Sequence, residues 1–213
     1  MKTSKELIDL LNLKEIAHNT FSGNSFTIGN AYVFGGQVLA QAVNAAYSTI
    51  PKDRFLHSLH SYFLEAGDLT VPIEYDVAEM RNGGSFSTRR VTASQKGKTI
   101  FILAASFHKK EEGFEHQTKI NSDIKQPEEL LSWEEMVVQF GDFLPKGIKS
   151  FLSIERPIDF KPVHIPNPVK PENLPSKEEV WFKLKGEIPK MDLRMKHQIL
   201  TYISDYNVLN AAF

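Results

Sequence analysis

Three stretches of this chain carry residue types whose spacing suits chemistry. The first is Gly35-Gly36-Gln37, directly ahead of the Ala-rich run Val38–Tyr47. Backbone N–H groups at a helix start are placed to meet a carbonyl oxygen or a phosphate. The triplet has neither the third glycine of a dinucleotide fingerprint nor the Gly-Lys-Ser/Thr of a phosphate loop, which disfavours nucleotide binding by those routes. Two glycines also simply let a chain turn tightly into a helix. The second stretch is Leu56-His57-Ser58-Leu59-His60-Ser61-Tyr62-Phe63-Leu64. Either histidine is a possible general base, and either is equally a structural histidine held by hydrogen bonds. In a strand, positions three apart point to opposite faces, so His57 and His60 cannot chelate one metal unless a bulge intervenes. On that alternation His57 shares a face with Leu59, Ser61 and Phe63, and His60 with Leu56, Ser58, Tyr62 and Leu64. The third is Asp205, which with His197, Thr201 and Ser204 makes a polar stripe on an apolar run. It is either a solvated carboxylate or one held in a dry site to orient water.

The rest of the composition narrows the chemistry. There are 213 residues, 25 Lys plus Arg against 26 Asp plus Glu, and no cysteine. Thiolate catalysis, disulfides and cysteine-ligated metals are therefore excluded. A net charge of −1 offers no field for nucleic acid or for an anionic membrane. No apolar run approaches the ~18–20 residues of a membrane span. The N-terminus turns acidic and amphipathic before a signal-peptide core can form.

These residues need elements to position them. Thr3-x-x-Glu6 has the form of a capping box and predicts a helix over 4–12. Residues 20–29 suit a first strand. The run after Gly36 predicts a helix ended by Pro51, so apolar that a sheet should wrap it. Four antiparallel strands follow at 56–64, 71–81, 85–95 and 99–108, with Asn82-Gly83 and Lys96-Gly97 as tight turns. Aromatics at 62–63 and 101 read as core. Beyond residue 110 a polar linker leads to a helix at 128–143. Candidate strands follow near 151–161 and 179–186, separated by a Pro-rich loop, and then a helix from Met191 through Leu209. The halves look like a repeat: strand-bearing sequence, then one long helix. A meander follows the first helix, whereas the chain stops within the second apolar run, as a fragment would.

Taken together, Val33-Phe34-Gly35-Gly36-Gln37-Val38, His57-Ser58-Leu59-His60-Ser61-Tyr62-Phe63-Leu64, Gly67-Asp68, Gly84–Val91, Ala105-Ser106-Phe107, Gly113–Gln117, Arg156-Pro157 and Tyr202-Ile203-Ser204-Asp205 resemble the acyl-CoA thioesterase II family over nearly the whole chain. The resemblance implies an α+β double hotdog, two curved antiparallel sheets each wrapped around a long helix. The expected division is a first hotdog at 1–112, a linker with a helix at 113–150, and a second hotdog at 151–213 that is incomplete after its central helix. The implied reaction is hydrolysis of fatty acyl-CoA to acid and CoA, with no cofactor and no metal. Asp205 matches the family's catalytic Asp, whose Gln and Ser/Thr partners would lie beyond Phe213, so this chain alone is expected to be inactive. His57 matches a histidine linked to activity, and Gly36 and Gln37 are candidate substrate-binding residues. The expected partner is acyl-CoA, with no nucleic acid and no membrane span. A homo-oligomer in the cytoplasm is expected, with a peroxisomal address left open by the apparently missing end. Two rivals are an enoyl-CoA hydratase of the same fold and a non-catalytic acyl-CoA binder. Asp205-Tyr206-Asn207-Val208-Leu209-Asn210 partly resembles the hydratase signature, with Asn210 in place of its histidine.

Overall fold

A computed structural model describes residues 1–29, 31–119, 123–165 and 177–206. Two compact units emerge, one made of residues 7–113 with 189–206, the other containing 1–6 and 114–188. Helix α1 (Ser4–Leu11) opens the chain, close to its predicted span.

In the larger unit the first strand is a hairpin rather than one long strand: β1 (Lys14–Ala17) and β2 (Thr20–Gly23), turning on Asn19 at φ 56°. Helix α2 (Gly35–Ser48) follows, then β3 (Arg54–Phe63), β4 (Ile73–Asn82), β5 (Phe86–Gln95) and β6 (Lys98–Lys109). All pairings are antiparallel, in the order β1-β2-β4-β5-β6-β3. Lys96 and Gly97, at φ 52° and 74°, make the left-handed turn that a two-residue hairpin requires. Strand β3 crosses to the far side and pairs with β6, so it ends the sheet on that side.

Eleven of the fourteen residues of α2 are buried, which is why its sequence is so poor in charge. Val38, Leu39, Ala42, Val43 and Ala46 pack with Tyr75, Val91, Phe101, Leu103 and Phe107 in one core. The polar stripe of α2 is buried as well. Gln37 donates to Asn24 O (2.7 Å) and Gln41 Oε1 (3.1 Å) and accepts from Phe26 N (2.8 Å). Gln41 donates to Leu10 O and accepts from Tyr75 Oη, both at 2.7 Å. These amides tie the irregular chain before α2 to the helix, meeting backbone groups that would otherwise be buried unpaired.

Helix α2 has no side-chain cap at its start and no basic residue in its last turn. Other elements supply both. At its C-terminal end Arg89 of β5, only 1% exposed, donates to Thr49 O and Oγ1, each at 2.8 Å. Helix α5 (Leu193–Ile203) adds Arg194, which donates to Tyr47 O at 3.2 Å with its guanidinium 4.9 Å from the Tyr47 ring. Cations at this end complement the helix dipole. Asn44–Gln198 (2.9 Å) and Tyr47–His197 (2.8 Å) hydrogen bonds continue the contact between α2 and α5. One stripe of α5 stays open, with Leu193 and Leu200 45% and 55% exposed.

The smaller unit holds α3 (Trp133–Phe140), α4 (Lys146–Leu152) and the antiparallel pair β7 (Ile158–Pro162) and β8 (Val180–Leu184). The helix predicted over 128–143 is shorter. A single 3-10 turn at Pro127–Glu129 precedes it, and Ser132 starts it with a capping box to Glu135. Trp133 stacks on Phe160 at 4.6 Å. The last helix ends at Ile203 with Ser204 as its C-cap, before the Asp205 it was expected to carry, and residues 207–209 and the Pro-rich stretch 166–176 lie outside the described residues. Among those described, no helix is long and apolar enough to cross a membrane.

Candidate active site

Asp205 lies just past the end of α5, with its carboxylate beside the Gly36 backbone N–H at the N-terminal end of α2. The carboxylate thus meets the positive end of a helix that has no side-chain cap of its own. Two effects act on its proton affinity. Burial raises its pKa above the usual 3.8, and the Gly36 N–H pulls it back, with burial the larger. The outcome is a half-buried carboxylate that is a better base than one in water.

The two glycines are what admit it. A Cβ on Gly35 would stand 2.8 Å from Asp205 Oδ2 and 2.9 Å from the Phe63 ring. A Cβ on Gly36 would stand 2.4 Å from the Tyr202 carbonyl oxygen, a backbone atom that cannot swing aside. Gly36 is therefore required for the close approach of α5, beyond any role in turning the chain. Phe34 seals the junction, its ring 5.1 Å from that of Tyr202 and 4.6 Å from that of Tyr206.

In front of Asp205 lies a cavity of about 410 Å³. Its floor is Val38, Ile100 and Phe101, and its sides are Val33, Phe63, Leu64, Ala66 and Gly67. Apart from Asp205 its one ionisable lining residue is Glu65, which pairs with Lys98 at 2.7 Å. A trough walled by apolar side chains, with Asp205 as its one carboxylate not paired to a lysine, fits an apolar chain ending in a reactive group. The sequence reading took Phe63 as core; it is 52% exposed, with its ring 4.9 Å from that of the fully buried Phe101. An aromatic in an alternating strand gives no sign of whether it closes the core or lines a cavity.

The other expected residues fall elsewhere. The buried Gln37 amide donates to Asn24 O and Gln41 Oε1 and accepts from Phe26 N, so in the structure it works as a scaffold. His57 is exposed and on the sheet face away from α2. A bulge between Leu56 and Ser58 breaks the alternation assumed for β3. Leu56 and Leu59 both pack toward the core, while His57 meets Ser106 Oγ at 2.8 Å and lies near Phe86 and His108. His60 is exposed too, its ring 4.8 Å from that of Tyr62. The one inserted residue moves His57 off the face it was expected to share with Leu59 and Phe63, while His60 keeps its expected face with Ser58 and Tyr62 and parts only from Leu56. Among the described residues no three His, Asp or Glu side chains are disposed to hold a metal ion.

A long helix enclosed by an antiparallel sheet is the hotdog arrangement, and here a half-buried carboxylate and a trough lie at the start of that helix. The family model described as the acyl-CoA thioesterase N-terminal domain matches residues 22–108. "Acyl-CoA thioesterase 2" of Haemophilus influenzae is 39% identical over 206 residues, covering 97% of this chain and 71% of that protein. "Acyl-coenzyme A thioesterase 8" of Homo sapiens is 35% identical over 211 residues, covering 95% of this chain and 66% of that one. The solved acyl-CoA thioesterase II TesB2 from Mycobacterium marinum superposes with a TM-score of 0.72 at 29% identity, over 97% of this chain and 69% of that one. The chain belongs to the acyl-CoA thioesterase family.

Proposed function

We propose that Asp205 is the general base in the hydrolysis of fatty acyl-CoA thioesters. The observation that carries this is the Asp205 carboxylate at the head of an apolar trough, raised in basicity by burial yet held by the Gly36 N–H. A thioester carbonyl is electrophilic enough for direct attack by a positioned water, so a chain without cysteine is at no disadvantage. Asp205 accepts a hydrogen bond from that water and takes its proton as oxygen bonds to the carbonyl carbon. The tetrahedral intermediate collapses by breaking the C–S bond. The CoA sulfur departs with the proton that Asp205 took, giving acid and free thiol. The positive end of α2 favours the negative charge that builds on the substrate oxygen. The acyl chain lies along Val38, Ile100 and Phe101. The Gln and Ser/Thr that the resemblance assigns beside the catalytic Asp would share in holding the water.

The same reading has the protein working in the cytoplasm and self-associating, the open side of β3 being an edge that a second sheet can extend. The protein, incubated with palmitoyl-CoA and a thiol reagent, tests the activity. Release of free CoA is the expected result. A hydroxyacyl product from enoyl-CoA would instead favour the hydratase reading, whose Asn210 lies outside the described residues, and saturable binding with neither product a carrier.

A further inference from the structure

Phe63 stands apart from the other residues of the trough. Val38, Ile100 and Phe101 are at most 5% exposed and are fixed in the core, while Leu64 lies on the open side. Phe63 alone reaches both ends: its ring abuts Gly35 beside Asp205 Oδ2, and it packs on Phe101 at the floor. Gly35, Asp205 and Phe63 are in such close contact that a single methyl group would not fit among them. A chain whose carbonyl carbon is presented to Asp205 must therefore run along the Phe63 ring. Half of that ring is open to solvent, so an acyl chain laid on it is rewarded by burial.

Resting on the thioesterase reading, we propose that Phe63 is the specificity-determining residue that sets the length of acyl chain the trough accepts. At about 30 Å³ for a water-sized group, the 410 Å³ trough holds roughly a dozen non-hydrogen atoms, thioester included. That corresponds to medium-chain acyl groups. Methylenes beyond that length project past Phe63 and gain nothing.

The test uses S-alkyl-CoA thioethers from butyl to hexadecyl, which cannot be hydrolysed, titrated calorimetrically into the 213-residue chain. Affinity should rise about fourfold per methylene until the trough is filled and then level off. In Phe63→Ala the levelling point should move by two or more methylenes, and in Phe63→Leu by less. Tyr62→Ala, an exposed aromatic on the opposite face, should leave it in place. If Phe63→Ala loses its far-ultraviolet circular dichroism, Phe63→Leu carries the test. An unmoved levelling point in a folded variant overturns the proposal, as does failure of the wild-type chain to bind any thioether. CoA release from palmitoyl-CoA with an unmoved levelling point would sink the role of Phe63 alone. Thioether binding with a moved point but no CoA release would sink the hydrolase reading alone.

Discussion

Asp205 Oδ2 lies 2.8 Å from where a Cβ of residue 35 would stand, so the carboxylate and Gly35 share one space. The pair explains how a carboxylate carried past the end of α5 comes to lie at the start of a helix 170 residues earlier in the chain. Exchanging Asp205 for Asn keeps the shape and removes the base. Hydrolysis should fall roughly 10²–10⁴-fold. Steady-state kinetics within a few-fold of wild type would remove Asp205 from the chemical step.

The same residue should trade stability against activity. Burial raises its folded-state pKa above the usual 3.8, so folding takes up a proton between the two values. Asp205 favours the fold below its unfolded pKa, and that contribution is lost as pH rises through the folded one. At neutral pH the buried charge is a net cost. Asp205→Asn should therefore melt higher than wild type at pH 7, with the gap closing as pH falls toward 4. The wild-type rate should rise with pH through the raised pKa and then level off. A variant that melts lower at pH 7 would contradict this account.

Gly36 and Gly84 make a controlled comparison. Alanine at 36 collides with the Tyr202 carbonyl, whereas a Cβ at Gly84 meets nothing within 4 Å. Gly36→Ala should cost about 1–3 kcal/mol in denaturant unfolding through overpacking. Displacing Asp205 by even ~1 Å should cost on the order of 10²-fold in kcat. Gly84→Ala should do neither.

His57→Gln should leave hydrolysis within a few-fold, because the sheet separates His57 from α2 and the trough. A loss matching that of Asp205→Asn would tie His57 to the reaction despite its position.

Much of this architecture was legible from period and punctuation. Strands β3 to β6 and helix α2 follow from alternation, tight turns and an Ala-rich run ended by Pro51. What escaped was set by contacts between distant residues. The bulge at His57 leaves no mark in an alternating pattern, yet it turns His57 to the outer face that His60 occupies. The amide of Gln37 looked available for a ligand because its partners are backbone groups of residues 24 and 26 and the Gln41 side chain, which no motif announces. Arg89 read as an ordinary strand residue; its role at the end of α2 depends on a helix terminus 40 residues earlier.

The bulge in β3 also bears on how the chain behaves in concentrated solution. An edge strand with free N–H and C=O groups is a template on which other chains can add and grow into fibres. Strand β3 has ten residues, but the break between Leu56 and Ser58 divides its register into three and six. A flat incoming strand finds about 20 Å of uninterrupted ladder in place of about 33 Å. Only a strand that turns where β3 turns can pair along its full length, so the irregularity that hides His57 from the trough also guards the exposed border of the sheet against indiscriminate growth.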